Sequence, residues 1–181
     1  AINIDVNSLN YEQITDLGRA TGLAERLSQF IDNRGPLVRE NRLADNDLNG
    51  MKVRGGTLTT EGVWDDTDIV HVVEDETIFV PDFHSYGGLR LQSSATQSLV
   101  VKLLGAEAGF TATGRPLDIT DRIGGMLHVL GQPGYPVVFT SLNDDTVGAG
   151  FRPDGSPQTD TNNDGTGAEE GAVPTLPTVP D

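Results

Sequence analysis

The sequence predicts an all-β protein. Between residues 36 and 151 the apolar residues fall into short runs, each bounded within a few residues by Gly, Pro, Asn, Asp or Ser, a pattern typical of strands joined by turns. No long segment with helical spacing separates these runs, and strands that follow one another without helices indicate an all-β fold. The runs predicted as strands are Gly50–Arg54, Asp68–Val73, Thr77–Val80, Leu89–Gln92, Ser98–Leu104, Leu117–Ile119, Met126–Leu130 and Pro136–Thr140.

Residues 1–35 form a first region of different composition. Ile2, Ile4 and Val6 alternate with polar residues, which predicts a half-buried strand. Between residues 11 and 31 the apolar residues lie at roughly helical spacing, but glycines interrupt the pattern. A short broken helix and a compact loop fit this part equally well.

Residues 152–181 form the last region, after the β-rich core domain of residues 36–151. This segment contains five of the ten prolines, six acidic residues and no aromatic residue. Such a composition buries too little apolar surface to offset the entropy of ordering the chain. We expect an extended acidic tail that becomes ordered only when a metal ion or a partner holds it.

Two all-β architectures fit the core domain. An antiparallel β-sandwich is the usual arrangement for short strands, and the hairpin-type pair Asn49-Gly50 is consistent with it. Residues 41–56 favour a solenoid instead, because short apolar positions alternate there with Asn and Gly. Asn tolerates the left-handed conformation that the corners of successive coils require. We therefore predict a solenoid with irregular rungs, with the sandwich as the alternative.

Two segments of the core domain resemble the parallel β-helix repeats of large exported bacterial surface proteins. One is residues 41–53, and the other is residues 127–141, which read as a strand, a Gly-x-Pro-Gly corner and a second strand. The resemblance covers about residues 36–164, and its repeat motifs are degenerate. It implies a right-handed parallel solenoid, an extracellular or cell-surface location and a structural or adhesive role.

The charge of the chain narrows its possible partners. The 181 residues include 12 basic and 27 acidic side chains, a formal net charge of −15. Such a surface repels phosphate backbones and anionic headgroups, which argues against nucleic-acid binding and membrane association. No apolar run reaches the roughly 18 residues that a membrane-spanning helix needs. Cations are therefore the expected partners.

The segment Asp160-Thr161-Asn162-Asn163-Asp164-Gly165 predicts a calcium site. Oxygen-bearing side chains at alternate positions can converge on one cation, and glycine permits the sharp turn. The bidentate glutamate of a twelve-residue EF-hand loop would fall at Gly171, and no helical pattern flanks the loop. We therefore predict a shorter calcium loop of the extracellular type rather than an EF-hand, with Asp160, Asn162 and Asp164 as ligands. A solvated linker is the alternative.

Asp144 and Asp145 are predicted to contribute to the same calcium ion across the bend at residues 148–150. Clustered carboxylates repel one another, so they either spread into solvent or gather around a cation. Acidic turns at strand ends are the simpler interpretation of this pair and of Asp65-Asp66-Thr67-Asp68.

No catalytic residue is predicted. The three histidines are scattered, and no serine lies in a G-x-S-x-G elbow. The hypothesis is therefore a non-catalytic extracellular structural or adhesive module, stabilised by calcium. It would associate with identical subunits or neighbouring modules by strand addition into a filament or surface layer, with surface polysaccharide as a further partner. A polysaccharide lyase or hydrolase on a β-helix scaffold is the alternative.

Overall fold

The structure is a computed structural model that describes residues 2–9, 38–59, 61–81, 88–113 and 125–165. These residues form eleven strands and one short 3-10 helix, Val6–Ser8, so the all-β prediction is confirmed. The predicted strand Leu117–Ile119 and residues 10–35 lie outside this part of the chain. The strands are β1 (Ile2–Asp5), β2 (Met51–Arg54), β3 (Gly56–Thr57), β4 (Glu61–Trp64), β5 (His71–Glu74), β6 (Thr77–Val80), β7 (Gly88–Gln92), β8 (Leu99–Leu104), β9 (Gly109–Ala112), β10 (Met126–Leu130) and β11 (Val137–Ser141).

The strands form three sheets in which every pairing between strands is parallel. The first sheet has the order β1-β2-β5-β8-β11, the second β3-β6-β9 and the third β4-β7-β10. From β2 onward, successive strands enter the first, second and third sheet in turn. A sandwich of antiparallel strands, the alternative considered from the sequence, has a different pairing.

The main core lies on one face of the first sheet and is shared with the other two sheets. Met51, His71 and Val101 are register partners on β2, β5 and β8, and all three are fully buried. The His71 ring stacks on Trp64 of the third sheet, with ring centroids 5.1 Å apart. Because parallel strands bring equivalent positions side by side, one inward position on each strand builds this layer.

The opposite face of the first sheet is also buried. Val70, Val72, Val100 and Leu142 form a second apolar cluster there. A sheet covered on both faces needs apolar residues at consecutive positions rather than at alternate ones. This explains the unbroken apolar run of residues 99–101. A polar side chain on this opposite face, which we call the outer face of the first sheet, lies beneath the loops that cover it.

The two ends of the stack of strands differ. Near β1, Val6 and Leu9 are buried, and the Leu9 carbonyl accepts a hydrogen bond of 3.2 Å from Val63 N on β4. At the other end, β9, β10 and β11 are the outermost strands of their sheets. Five large apolar side chains of the last two strands and the turn between them are 38–44% exposed, namely Met126, Val129, Leu130, Tyr135 and Phe139.

The described part of the expected tail, residues 152–165, packs against the β-rich domain. Gln158 N donates to the Gly150 carbonyl (3.1 Å), and Gln158 and Thr161 are both buried. Local turns order this segment as well, since Arg152 N donates to the Ser156 carbonyl at 2.8 Å. Within the described residues, no helix is long and apolar enough to cross a membrane.

Candidate metal centre

Two loop segments meet on the outer face of the first sheet. One follows β11 and contains Asp144 and Asp145, and the other is residues 158–164. Gly148 lets them approach, because a Cβ atom at this position would lie 1.9 Å from the Gln158 carbonyl oxygen. A side chain of any size would therefore force the two segments apart.

Lys102 ties the two segments to β8. Its side chain is fully buried, and its Nζ donates to the Asp144 carbonyl at 2.7 Å and the Thr159 carbonyl at 2.9 Å. Burial lowers the pKa of Lys102, while Asp145 and the neighbouring carboxylates oppose this shift. The ammonium group therefore donates to backbone carbonyls and lies close enough to the carboxylates to interact with them electrostatically.

The same segments bring Asp145, Asp160 and Asp164 together. One carboxylate oxygen from each of the three lies within 4.8 Å of the others. We call these three residues the acidic cluster. Burial raises the pKa of Asp145, and the charges of Asp160 and Asp164 raise it further. The like charges of Asp160 and Asp164 thus oppose ionisation of Asp145.

Asp145 is the distinctive member of the acidic cluster. It is 8% exposed, and neither of its carboxylate oxygens has a hydrogen-bond partner among the described residues. A buried carboxylate normally accepts hydrogen bonds or pairs with a cation, because leaving it unpaired costs the desolvation energy of the charge. Its acceptor atoms therefore point to a ligand that supplies positive charge.

The 160–165 loop is shaped by its own side chains. Asp164 N donates to the Asp160 carboxylate (3.2 Å), and Asn162 Nδ2 donates to the Asp164 carboxylate (2.8 Å). The Asn162 Oδ1 atom is buried and has no hydrogen-bond partner. Asn163 and Gly165 have positive φ angles of 57° and 73°, so the chain turns sharply there. Asn162 thus adjoins the acidic cluster with an available acceptor oxygen.

The turn before β2 anchors the same loop. Asn49 N donates to the Thr161 carbonyl at 2.7 Å, and Asn49 Nδ2 donates to the Asp160 carbonyl at 3.1 Å. Asn49 and Thr161 are both buried. The loop is therefore held against the first sheet by hydrogen bonds that leave the side-chain carboxylate of Asp160 outside the contact.

Asp144, predicted as a ligand, lies beside the acidic cluster and has other partners. Its carboxylate accepts hydrogen bonds from the Thr140 hydroxyl and from Thr146 N (2.9 Å) and Thr146 Oγ1 (2.5 Å). These hydrogen bonds lower the pKa of Asp144. The side chain therefore braces the turn after β11, and its backbone carbonyl holds Lys102.

Two further residues lie away from the acidic cluster. Asp154 caps an exposed turn by accepting from Ser156 N at 2.9 Å. Trp64 is fully buried. Sequence reasoning missed Lys102 and Asn49. The available signal was a lysine inside the apolar run of residues 99–104, because a charged side chain there needs a specific partner.

The acidic cluster has the chemistry of a site for a hard cation. Carboxylate and amide oxygens are the ligands that Ca²⁺ takes, at 2.3–2.6 Å, so two ligands on opposite sides of the ion lie up to about 5 Å apart. The spacing of the three carboxylates is compatible with such a shell. Comparison of this chain with protein-family models, curated proteins and solved structures found no match.

Proposed function

We propose that this chain is a non-catalytic extracellular structural or adhesive module, built as a right-handed parallel β-solenoid and stabilised by calcium. The observation that carries the proposal is the buried Asp145 carboxylate, which lies beside Asp160 and Asp164 and has no hydrogen-bond partner in the described part of the chain. A divalent cation would neutralise these charges and satisfy the orphaned oxygens. Nothing in this role requires a reacting group.

Three features support the solenoid. In the part of the chain that the structure describes, the strand pairings are parallel, successive strands enter the three sheets in a repeating order, and equivalent positions align between strands. Parallel connections between strands of one sheet are almost always right-handed, because a right-twisted strand packs back onto its sheet most readily that way. A rigid stack of strands suits a spacer or adhesive module.

Calcium would act by fixing the loops to the first sheet. Asp145 belongs to the loop after β11, whereas Asp160 and Asp164 belong to the segment that is bonded to Asn49. A cation shared by the two segments would link them through charge–charge attraction in place of repulsion. Binding restricted to the folded state stabilises that state by mass action.

Calcium at about 100 times its dissociation constant is expected to raise the free energy of unfolding by about 2.7 kcal/mol. For a chain of this length this corresponds to a rise in Tm of roughly 5–10 °C. Asp145→Asn should abolish most of this rise, because the amide lacks the charge that attracts the ion. Thermal melting of both proteins in calcium and in EGTA measures the effect.

Without calcium the same substitution should stabilise the protein, by about 1–3 kcal/mol at pH 7. The folded-state pKa of Asp145 lies above its unfolded value of 3.8. The protonated Asp145 carboxyl group therefore contributes fully to the free energy of unfolding below about pH 3.8. This contribution is lost as the pH rises through the folded-state pKa. Asp154→Asn, at an exposed aspartate outside the acidic cluster, is the matched control. An equal calcium response in the wild type and in Asp145→Asn would refute the site.

We further propose that identical subunits associate by strand addition at the end formed by β9, β10 and β11. The outer edges of β1 and β11 belong to the same parallel sheet. A second copy translated along the stack could therefore place its β1 beside β11 in the same direction. The exposed apolar side chains of the last strands would be covered in that contact.

Val129→Lys is expected to shift the protein toward the monomer, since a lysine on an edge strand opposes pairing with another chain. Val129 is 44% exposed on β10, so the change should leave the core intact. Light scattering across a concentration series gives the mass of wild type and variant. Phe79→Lys, at an exposed position on β6, the middle strand of the second sheet, is the control. A wild type that stays monomeric at every concentration would contradict self-association.

A further inference from the structure

A surface cleft of about 420 Å³ lies where four separate parts of the chain meet. It is lined by residues 39–42, by Thr67, Asp68 and Gln97, and by Gly150 and Phe151. This volume falls in the range of small-molecule sites. None of the three aspartates of the acidic cluster lines it. We propose that this cleft binds a neutral sugar unit of a polysaccharide. This inference rests on the proposed adhesive function and names the class of ligand to which the module would adhere.

Phe151 supplies an apolar surface for the ligand. Its side chain is 44% exposed, and the guanidinium carbon of Arg42 lies 5.1 Å from the centre of its ring. The backbones of Arg42 and Phe151 form a parallel bridge, and Leu43 N donates to the Phe151 carbonyl at 3.4 Å. The ring is thus held by its own backbone and by a cation–π contact. The C–H face of a sugar ring can pack on such a surface.

The rest of the cleft offers hydrogen-bond donors and acceptors together. The amide of Asn41 and the guanidinium of Arg42 donate, while the carboxylates of Glu40 and Asp68 accept. The Gln97 amide is oriented by Thr67, whose Oγ1 donates to Gln97 Oε1 at 3.0 Å. A sugar hydroxyl both donates and accepts hydrogen bonds. A sugar ring with several hydroxyls therefore matches these donors and acceptors better than a ligand that only donates or only accepts.

The backbone around the cleft is constrained. Glu40 has a φ angle of 55°, a left-handed conformation uncommon for a residue of its type, and its N–H donates to the Asp68 carboxylate. Gly150 also has a positive φ, 75°, and a Cβ atom there would lie 2.2 Å from the Asp68 carbonyl oxygen. The positions of Glu40 and Asp68 are therefore set before any ligand arrives, which lowers the cost of binding.

The charges of the cleft favour a neutral ligand. Glu40 and Asp68 would repel a phosphate or a nucleotide, and the net charge of −15 adds to that repulsion. The two arginines in the lining, Arg39 and Arg42, balance these carboxylates, so the formal charge of the lining is zero. A purely apolar ligand would leave the polar groups without partners.

The test is isothermal titration calorimetry of the full chain, in calcium, with cellohexaose, xylohexaose and mannohexaose as neutral probes and hexagalacturonate as the anionic probe. We expect binding of at least one neutral probe. Phe151→Ala should weaken it tenfold or more, and Phe79→Ala should leave it unchanged. Phe79 is 45% exposed on β6 and does not line the cleft, so it is a matched control. Gln97→Ala, an exposed position, serves as a second variant in case Phe151→Ala unfolds.

Three results would overturn the proposal: no binding of any neutral probe, binding unaffected by both cleft variants, or binding of the anionic probe alone. Thermal melting of the same samples in calcium and EGTA separates this result from the calcium site. If calcium raises the Tm but no sugar binds, only the proposal for the cleft is wrong. If a sugar binds but calcium does not change the Tm, only the proposal for the metal centre is wrong. Release of reducing ends from the sugar probe would show that the chain cleaves it, which would overturn the non-catalytic part of the proposed function.

Discussion

Lys102→Met is expected to lower the free energy of unfolding by about 3–5 kcal/mol in calcium-free buffer, the usual cost of removing one partner from a buried charged network. Methionine keeps most of the apolar stem. It cannot donate to the Asp144 and Thr159 carbonyls, which Lys102 Nζ reaches at 2.7 and 2.9 Å. The Asp145 carboxylate also loses the nearby ammonium that favours its ionisation. Chemical denaturation in EGTA measures the loss.

Calcium should restore part of the stability of Lys102→Met, because the ion replaces the lost positive charge near Asp145. The chain has one other lysine, Lys52, which forms a salt bridge of 2.6 Å with Glu74 and keeps 27% of its side chain exposed. Lys52→Met is therefore the control and should cost about 1 kcal/mol or less. Equal losses for the two substitutions would show that Lys102 has no special role.

Acidification is expected to destabilise the protein through His71. This side chain is fully buried, and neither ring nitrogen makes a hydrogen bond of normal geometry. Burial lowers the pKa of His71 from 6.5 to about 3, with a smaller opposing effect from the Ile69 backbone. Because the unfolded chain takes up this proton first, stability falls as the pH drops from about 6.5 to about 3. The total loss in the free energy of unfolding from this one histidine is about 5 kcal/mol.

His71→Phe removes this titration and keeps an aromatic ring against Trp64. The free energies of unfolding of wild type and variant, measured by denaturation between pH 7 and pH 3, should therefore diverge as the pH falls. His128→Gln, an exposed position on β10, controls for the loss of one histidine. Parallel curves for the wild type and His71→Phe would show that the ring is not excluded from water in the folded state.

Much of the strand structure could be predicted from the sequence because it is encoded locally. Runs such as Thr77–Val80 and Met126–Leu130 combine β-branched or apolar residues with flanking turn residues, and the structure has strands with these bounds. β4 and β9 were not predicted. Glu61–Trp64 and Gly109–Ala112 each contain a glycine and few apolar residues. They are strands because neighbouring strands supply their hydrogen bonds, and this information is not local.

The sequence by itself determined the all-β class, the acidic balance and the Asp160–Gly165 loop, because residue type and spacing over a few positions carry these properties. The sequence could not show which of the adjacent aspartates, Asp144 or Asp145, has a carboxylate available to bind a cation. Tertiary structure made the difference: Thr140 and Thr146 satisfy the first carboxylate, whereas the second is buried without a hydrogen bond. Burial and hydrogen bonding depend on segments distant in the chain, as when Gly148 admits residues 158–159 to this face of the sheet. Their contacts form only when the parallel strands of the first sheet have aligned.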